Sequence, residues 1–277
     1  MRTRLAVLAG LLALTACGRP TGGVAGPAPD APALPTDDAA LVLRVALTGG
    51  FSTPSALLSR LPLVSVYRDG RVVTEGPVIA IYPPPAWPNV QVNQVDDATL
   101  TDLVQAAVDA GVGDAVDLGN PGIADATTTV LTLTTAEGTR TTEVYALGEA
   151  AGDPAVTPEQ TAARAELAAL VERLTGLPED GRSEPFTPAA VVALAGEYAG
   201  DPELPRDAVT WPGPPLPGET VAPGTGCTVA TGEQASAVVA AAQAADTLTP
   251  WTDGTATWSL AFRPLLPDET GCDDLTG

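Results

Sequence analysis

The apolar positions of this chain fall into short β-rich runs separated by three longer helical stretches, and this pattern begins near Ala40. Leu41 to Leu47 is rich in Val and Leu and stops at Gly49-Gly50. Leu63 to Tyr67 and Val72 to Glu75 flank Arg68-Asp69-Gly70-Arg71. Asp-Gly supplies the positive φ angles of a tight primed turn, so these runs predict an antiparallel hairpin. A further strand is expected from Val78 to Tyr82, broken by Pro83-Pro84-Pro85, and Val90 to Val95 reads as extended.

Asp96 or Asp97 then caps a helix. Leu100, Leu103, Val104, Ala107 and Val108 recur at helical spacing, and Gly111 ends it. Thr127 to Thr135 alternates and is expected to pair with Thr141 to Leu147 across Ala136-Glu137-Gly138-Thr139. Thr157-Pro158-Glu159-Gln160 combines a capping residue, a proline at the first helical position and a side chain for reciprocal capping. The helix it opens should bury Leu167, Leu170, Val171 and Leu174 and stop at Gly176.

The last hundred residues repeat the mixture. Ala189 to Leu194 reads as a strand and Asp201 to Gly226 as proline-rich and irregular. Thr231 to Ala245 reads as a helix opened by Thr-Gly-Glu-Gln, and Ala256 to Arg263 as a closing strand. Hairpins outnumber β-α-β crossovers, which predicts an α+β fold, a mainly antiparallel sheet with helices packed on one face. Residues 40–180 form one α+β region, and 181–277 a second packed on the first. The β-helix-β order recurs at 90–135 and 227–263, an order that two similar halves would give, although their residues hardly match.

The first sixteen residues carry a different signal. Arg2 and Arg4 precede an apolar stretch from Leu5 to Leu14, followed by small residues. Such a stretch of about ten residues is a secretory leader, too short for the ~20 a membrane-spanning helix needs. Its end, Leu14-Thr15-Ala16-Cys17, resembles the lipobox of bacterial lipoproteins. By that resemblance, residues 1–16 are the signal peptide and Cys17 is the lipid-bearing first residue of the mature chain. A diacylglyceryl group supplies the two chains that stable anchoring requires. Residues 17–39, mostly Gly, Pro, Ala and Thr, read as a flexible tether with a reach of roughly 25 Å.

Composition narrows the chemistry. The 277 residues include 34 acidic and 13 basic side chains, every basic one an arginine, for a net charge of −21. Loss of Arg2 and Arg4 with the leader leaves eleven basic residues and a charge of −23. Such a surface repels nucleic acid, so no nucleic-acid partner is expected. The absence of histidine and lysine excludes a Ser-His-Asp or Cys-His centre, a His-ligated metal, a P-loop lysine and a lysine Schiff base.

Cys227 and Cys272, the remaining pair in an exported chain, predict a disulfide across 45 residues, with up to about 4 kcal/mol from loop entropy. It should hold a tail that has little apolar content after Arg263. Asp114, Asp117, Asn120 and Asp125 offer oxygen ligands suited to calcium, but their spacing matches no EF-hand loop, and turns and caps explain them. Asp96-Asp97 and Asp273-Asp274 read as caps and tail rather than acid-base pairs. Trp87, Trp211, Trp251 and Trp258 are expected to fill the core and anchor the proline-rich loops rather than line a sugar site.

Several motifs together carry a family resemblance: Tyr67-Arg-Asp-Gly-Arg71, Asp117 to Val130, Val144 to Gly148, and Arg263-Pro-Leu-Leu-Pro-Asp-Glu269 shortly before Cys272. They resemble uncharacterised exported lipoproteins of high-GC Gram-positive (actinobacterial) type. The resemblance implies a shared fold and a place on the outer face of the cytoplasmic membrane, and it assigns no catalytic residue, cofactor or metal. The expected function is non-enzymatic binding or a structural role at the cell envelope. The membrane would be engaged through the lipid on Cys17, and the other partner is an envelope protein, peptide or polymer. The alternative is an envelope hydrolase working with carboxylates. A deep cleft with two facing carboxylates favours the alternative, and a grooved apolar patch favours binding.

Overall fold

Thirteen strands and four helices, described over residues 32–150, 152–177 and 182–275 of a computed structural model, make an α+β fold with two mostly antiparallel sheets. The signal peptide and Cys17 lie outside the described residues. Among those residues no helix is long and apolar enough to cross a membrane.

The first sheet holds β1 (Leu41–Gly49), β2 (Val64–Tyr67), β3 (Arg71–Glu75), β4 (Val90–Gln94), β5 (Thr127–Thr135), β6 (Gly138–Tyr145) and β7 (Glu184–Pro185). Their order is β6-β5-β1-β2-β3-β4-β7, every pairing antiparallel. The second sheet holds β8 (Ala190–Glu197), β9 (Val209–Thr210), β10 (Glu219–Ala222), β11 (Thr225–Thr231), β12 (Trp251–Thr252) and β13 (Thr257–Pro264). Its order is β10-β11-β8-β13-β12-β9, antiparallel except for the short β12–β9 pair.

Helix α2 (Asp97–Asp109) and helix α3 (Pro158–Thr175) cover one face of the first sheet. Leu100, Leu103 and Val104 from α2 meet Leu167, Leu170 and Leu174 from α3 over Val42, Val66 and Leu133. Both helices begin as their sequences dictate. Asp96 accepts the Thr99 amide, and Thr157 and Gln160 close a reciprocal capping box. Helix α4 (Gly232–Gln243) covers one face of the second sheet, packing Ala235 and Val238 with Val191, Ala193 and Phe262. Thr231 precedes α4 without any side-chain capping bond. Short helix α1 (Pro54–Ser59) and the chain after β13 pack against the other faces. Leu61 and Leu266 join Tyr67 and Val73, while Leu58 and Leu265 join Val192 and Leu194.

Several expectations are corrected. Val78 to Tyr82 is not a strand. Gly76 donates to the Asn89 carbonyl at 2.7 Å, which closes a loop and directs the segment between them out of the sheet. The 201–226 segment is not wholly irregular. It contains β9 and β10, and β10 turns into β11 across Pro223-Gly224, with Gly224 at φ 71°. The β2–β3 turn is a three-residue loop rather than a primed two-residue turn. Only Gly70 takes positive φ, and its amide bonds the Tyr67 carbonyl, the pattern of a type I turn closed by a left-handed glycine. A Cβ there would fall 2.3 Å from the Val95 carbonyl oxygen.

The ordered chain also starts before Ala40. The Ala33 carbonyl accepts the Ala136 amide at 2.8 Å, and Leu34 packs against the core under α2 and α3. Strand β6 begins at Gly138, three residues earlier than its alternation indicated. The two β-helix-β segments cross their sheets differently. Three strands separate β4 from β5, and one separates β11 from β13.

Candidate functional site

A cleft of about 1050 Å³ opens where the two sheets meet. One wall is the loop from Gly76 to Asn89. Its base is closed by the Gly76–Asn89 bond and by the Asn89 side-chain amide, which donates to the Pro77 carbonyl at 2.9 Å. Its second limb is pinned to the segment after α4. Ala86 donates to the Ala245 carbonyl and Thr247 to that of Pro84. Asp246, between them, accepts from Arg206 Nε at 2.8 Å and from the Leu248 amide. Held at both ends, the loop leaves Val78, Ile79, Ile81 and Tyr82 more than half exposed, and Val78 and Ile79 line the cleft.

The opposite wall combines α1 with β8 and β13. Thr53 caps α1, and Arg60 ends it with its guanidinium on the Leu47 and Gly49 carbonyls and the Ser52 hydroxyl. Strands β8 and β13 contribute Leu194, Gly196, Leu260 and Phe262 to the lining. Trp87 and Ala86 join them from the loop, so much of the surface offered to a ligand is apolar.

A polar clasp sets the spacing behind the cleft. Arg44 on β1 donates to the Ser65 hydroxyl at 2.9 Å, to the Tyr67 hydroxyl at 3.2 Å and to Asp268 at 2.8 Å. Tyr67 donates its own hydroxyl to Asp268. Burial pushes the Tyr67 phenol well above its ordinary value. Arg44 opposes that shift and Asp268 adds to it. Next to them, Arg263 and Glu269 form a bidentate pair, both contacts 2.7 Å and each side chain 5% exposed. Glu269 also accepts the Leu266 amide, and Arg263 Nε reaches the Arg60 carbonyl at 3.4 Å, at the end of α1.

Two acidic residues line the cleft, Glu75 at the end of β3 and Glu197 at the end of β8. Neither side chain takes part in a hydrogen bond or ion pair among the described residues. Both are exposed, whereas a general acid needs a carboxyl held protonated by a water-poor surrounding.

The residues singled out from the sequence are otherwise dispersed. Cys227 and Cys272 form a disulfide with a Cα–Cα distance of 6.2 Å, joining β11 to the short turn at Cys272–Leu275. The tail is also held by apolar contact, because Leu265 and Leu266 are buried. Asp117 accepts the Gly119 amide, and Asp125 sits at φ 56°. Among the described residues, no three acidic or cysteine side chains gather as a metal site. Asp96 caps α2, Asp97 pairs with Arg68, and Asp274 accepts the Thr270 and Gly271 amides. Trp211 and Trp251 are buried with Phe262, and Trp211 Nε1 donates to the Pro214 carbonyl.

Glu75, Glu197 and Arg60 carried no spacing signal, because the cleft gathers them from β3, β8 and α1. The apolar run at Val78 to Tyr82, which forms part of the loop wall, read as a strand in the sequence and gave no warning of the cleft. Compared with known proteins, the chain matches no protein-family model, no curated protein and no solved structure.

Proposed function

We propose that this protein is a lipid-anchored binding protein of the cell envelope, tethered through Cys17 to the outer face of the cytoplasmic membrane. Its inter-sheet cleft holds a ligand without chemically changing it. The observation that carries the reading is the cleft itself. It is large enough for a small molecule, largely apolar, and walled by a loop fixed at both ends. The anchor rests on the leader and Leu14-Thr15-Ala16-Cys17, and a tether of roughly 25 Å would hold the cleft near the bilayer without pressing it there. The exposed state of Glu75 and Glu197 weighs against the carboxylate hydrolase.

The test is a fluorescence titration with the neutral apolar probe N-phenyl-1-naphthylamine. Saturable enhancement is expected with the natural sequence and a strong reduction with Gly196→Phe. Gly196 lines the cleft, and a Cβ there meets only the Gly224 carbonyl oxygen, at 3.7 Å, so the larger side chain fills the space without breaking β8. Enhancement unchanged by Gly196→Phe, in protein that melts as the natural sequence does, contradicts the reading.

A further inference from the structure

We infer that the cleft selects a small amphipathic cation, an apolar body carrying an ammonium or guanidinium group. The inference rests on the binding reading above and adds the charge of the ligand.

The argument starts from which charges in the lining are already engaged. Arg60 is the only basic side chain among the described residues that line the cleft. Its guanidinium is committed to the Leu47 and Gly49 carbonyls and the Ser52 hydroxyl, where it holds the end of β1 against α1. The two acidic lining residues are not engaged. Glu75 comes from the first sheet and Glu197 from the second, and neither side chain has a partner among the described residues. The other carboxylates nearby are already satisfied, Asp268 by Arg44 and Tyr67, and Glu269 by Arg263.

An anion entering this cleft meets two carboxylates and no available counter-charge, whereas a cation meets two carboxylates it need not take from an internal partner. The same cleft offers apolar surface at Ile79, Leu260 and Phe262, and Trp87 adds an indole of the kind to which cations are attracted. The net charge of −21 acts in the same direction at longer range, raising the local concentration of cations at low salt.

The test uses three probes sharing one apolar body: 4-phenylbutylammonium, 4-phenylbutanol and 4-phenylbutyrate. Their affinities are measured on the purified protein by calorimetry at low and at moderate salt. The expected order is cation, then neutral, then anion, with each carboxylate contributing up to about fivefold, the range of an exposed ion pair. Added salt should narrow the gap. Glu75→Gln and Glu197→Gln should each bring the cation toward the neutral probe while leaving the neutral probe unchanged. Glu166→Gln, on the exposed side of α3, serves as the control for net charge and should change nothing.

Equal affinity for cation and neutral probe overturns the inference and leaves the binding reading standing. A cation preference that survives removal of both Glu75 and Glu197, or that falls as much with Glu166→Gln, overturns it too, because the selectivity would then belong to the overall charge. Failure of all three probes to bind overturns the binding reading itself.

Discussion

The Tyr67 hydroxyl donates to Asp268 Oδ1 at 2.8 Å, joining residues 201 positions apart in the chain. Tyr67 ends β2 in the first sheet, and Asp268 follows β13 in the second, so this bond and the Arg44 contacts beside it hold the two sheets at one spacing. The cleft lies along the same junction, and Leu61, part of its lining, packs in one cluster with Tyr67 and Leu266. Its shape therefore depends on a polar clasp that a ligand never needs to touch.

The clasp should titrate. With its phenol raised by burial, folded Tyr67 keeps its proton at a pH where the unfolded chain, near pH 10, has lost it. Its contribution is thus complete below about pH 10 and is lost as the pH climbs further. Urea unfolding between pH 8 and pH 11 should show a falling stability that Tyr67→Phe flattens, at a cost near neutrality of about 1 kcal/mol for the lost hydrogen bond. An alkaline slope identical in both proteins contradicts this role.

Arg263 and Glu269 are a buried pair, so removing one partner should cost more than removing both. Glu269→Ala leaves a guanidinium uncompensated and is expected to destabilise by about 3–5 kcal/mol. A double replacement, Arg263→Met with Glu269→Leu, should recover much of that loss. The measurement is a double-mutant cycle by denaturant unfolding. A double variant worse than either single variant would show that geometry rather than charge pairing dominates.

Arg164 was not foreseen as a core residue, yet it is 5% exposed within α3. It donates to the carbonyls of Leu118, Tyr145 and Ala146, the last at φ 49°. It ties the loop at Leu118 to the end of β6. Arg164→Met should cost about 2–4 kcal/mol by leaving several buried carbonyls without donors. Hydrogen exchange should quicken first around 118 and 145–147, and uniform quickening across α3 would point to helix damage instead.

The anchor assignment has a simple test. Cys17→Ala should abolish metabolic labelling with palmitate and shift the protein from the membrane pellet to the soluble fraction. Continued labelling and pelleting would place the anchor elsewhere.

Local signals were legible in the sequence, and distant pairings were not. The Thr157–Gln160 capping box, the stripe from Leu100 to Ala107 and the β2–β3 hairpin are each specified within a few neighbouring residues, and each formed. Cys227 and Cys272, the only two cysteines among the described residues, form the expected disulfide. Val78 to Tyr82 misled because apolar, β-branched composition also occurs in exposed loops. The deciding factor was closure of that loop by Gly76 and Asn89, a contact thirteen residues apart. The clasp and the cleft lining were hidden for a stronger reason. Arg44, Tyr67 and Asp268 meet only once two sheets have docked, and no local period records that event. Arg164 was hidden by its type, since a charged residue on a helical stripe reads as solvent-facing until the carbonyls that satisfy it are in place.

The central claim, that the inter-sheet cleft is where this protein binds, is tested most directly by locating a bound probe. Isotope-labelled protein should be titrated with 4-phenylbutylammonium and its amide and indole resonances followed. The account predicts saturable shifts concentrated at Ala86, Gly196, Leu260 and the Trp87 indole, all on the cleft lining, with the α2 and α3 resonances unmoved. Shifts centred on α2 and α3, or scattered without saturation, would contradict it.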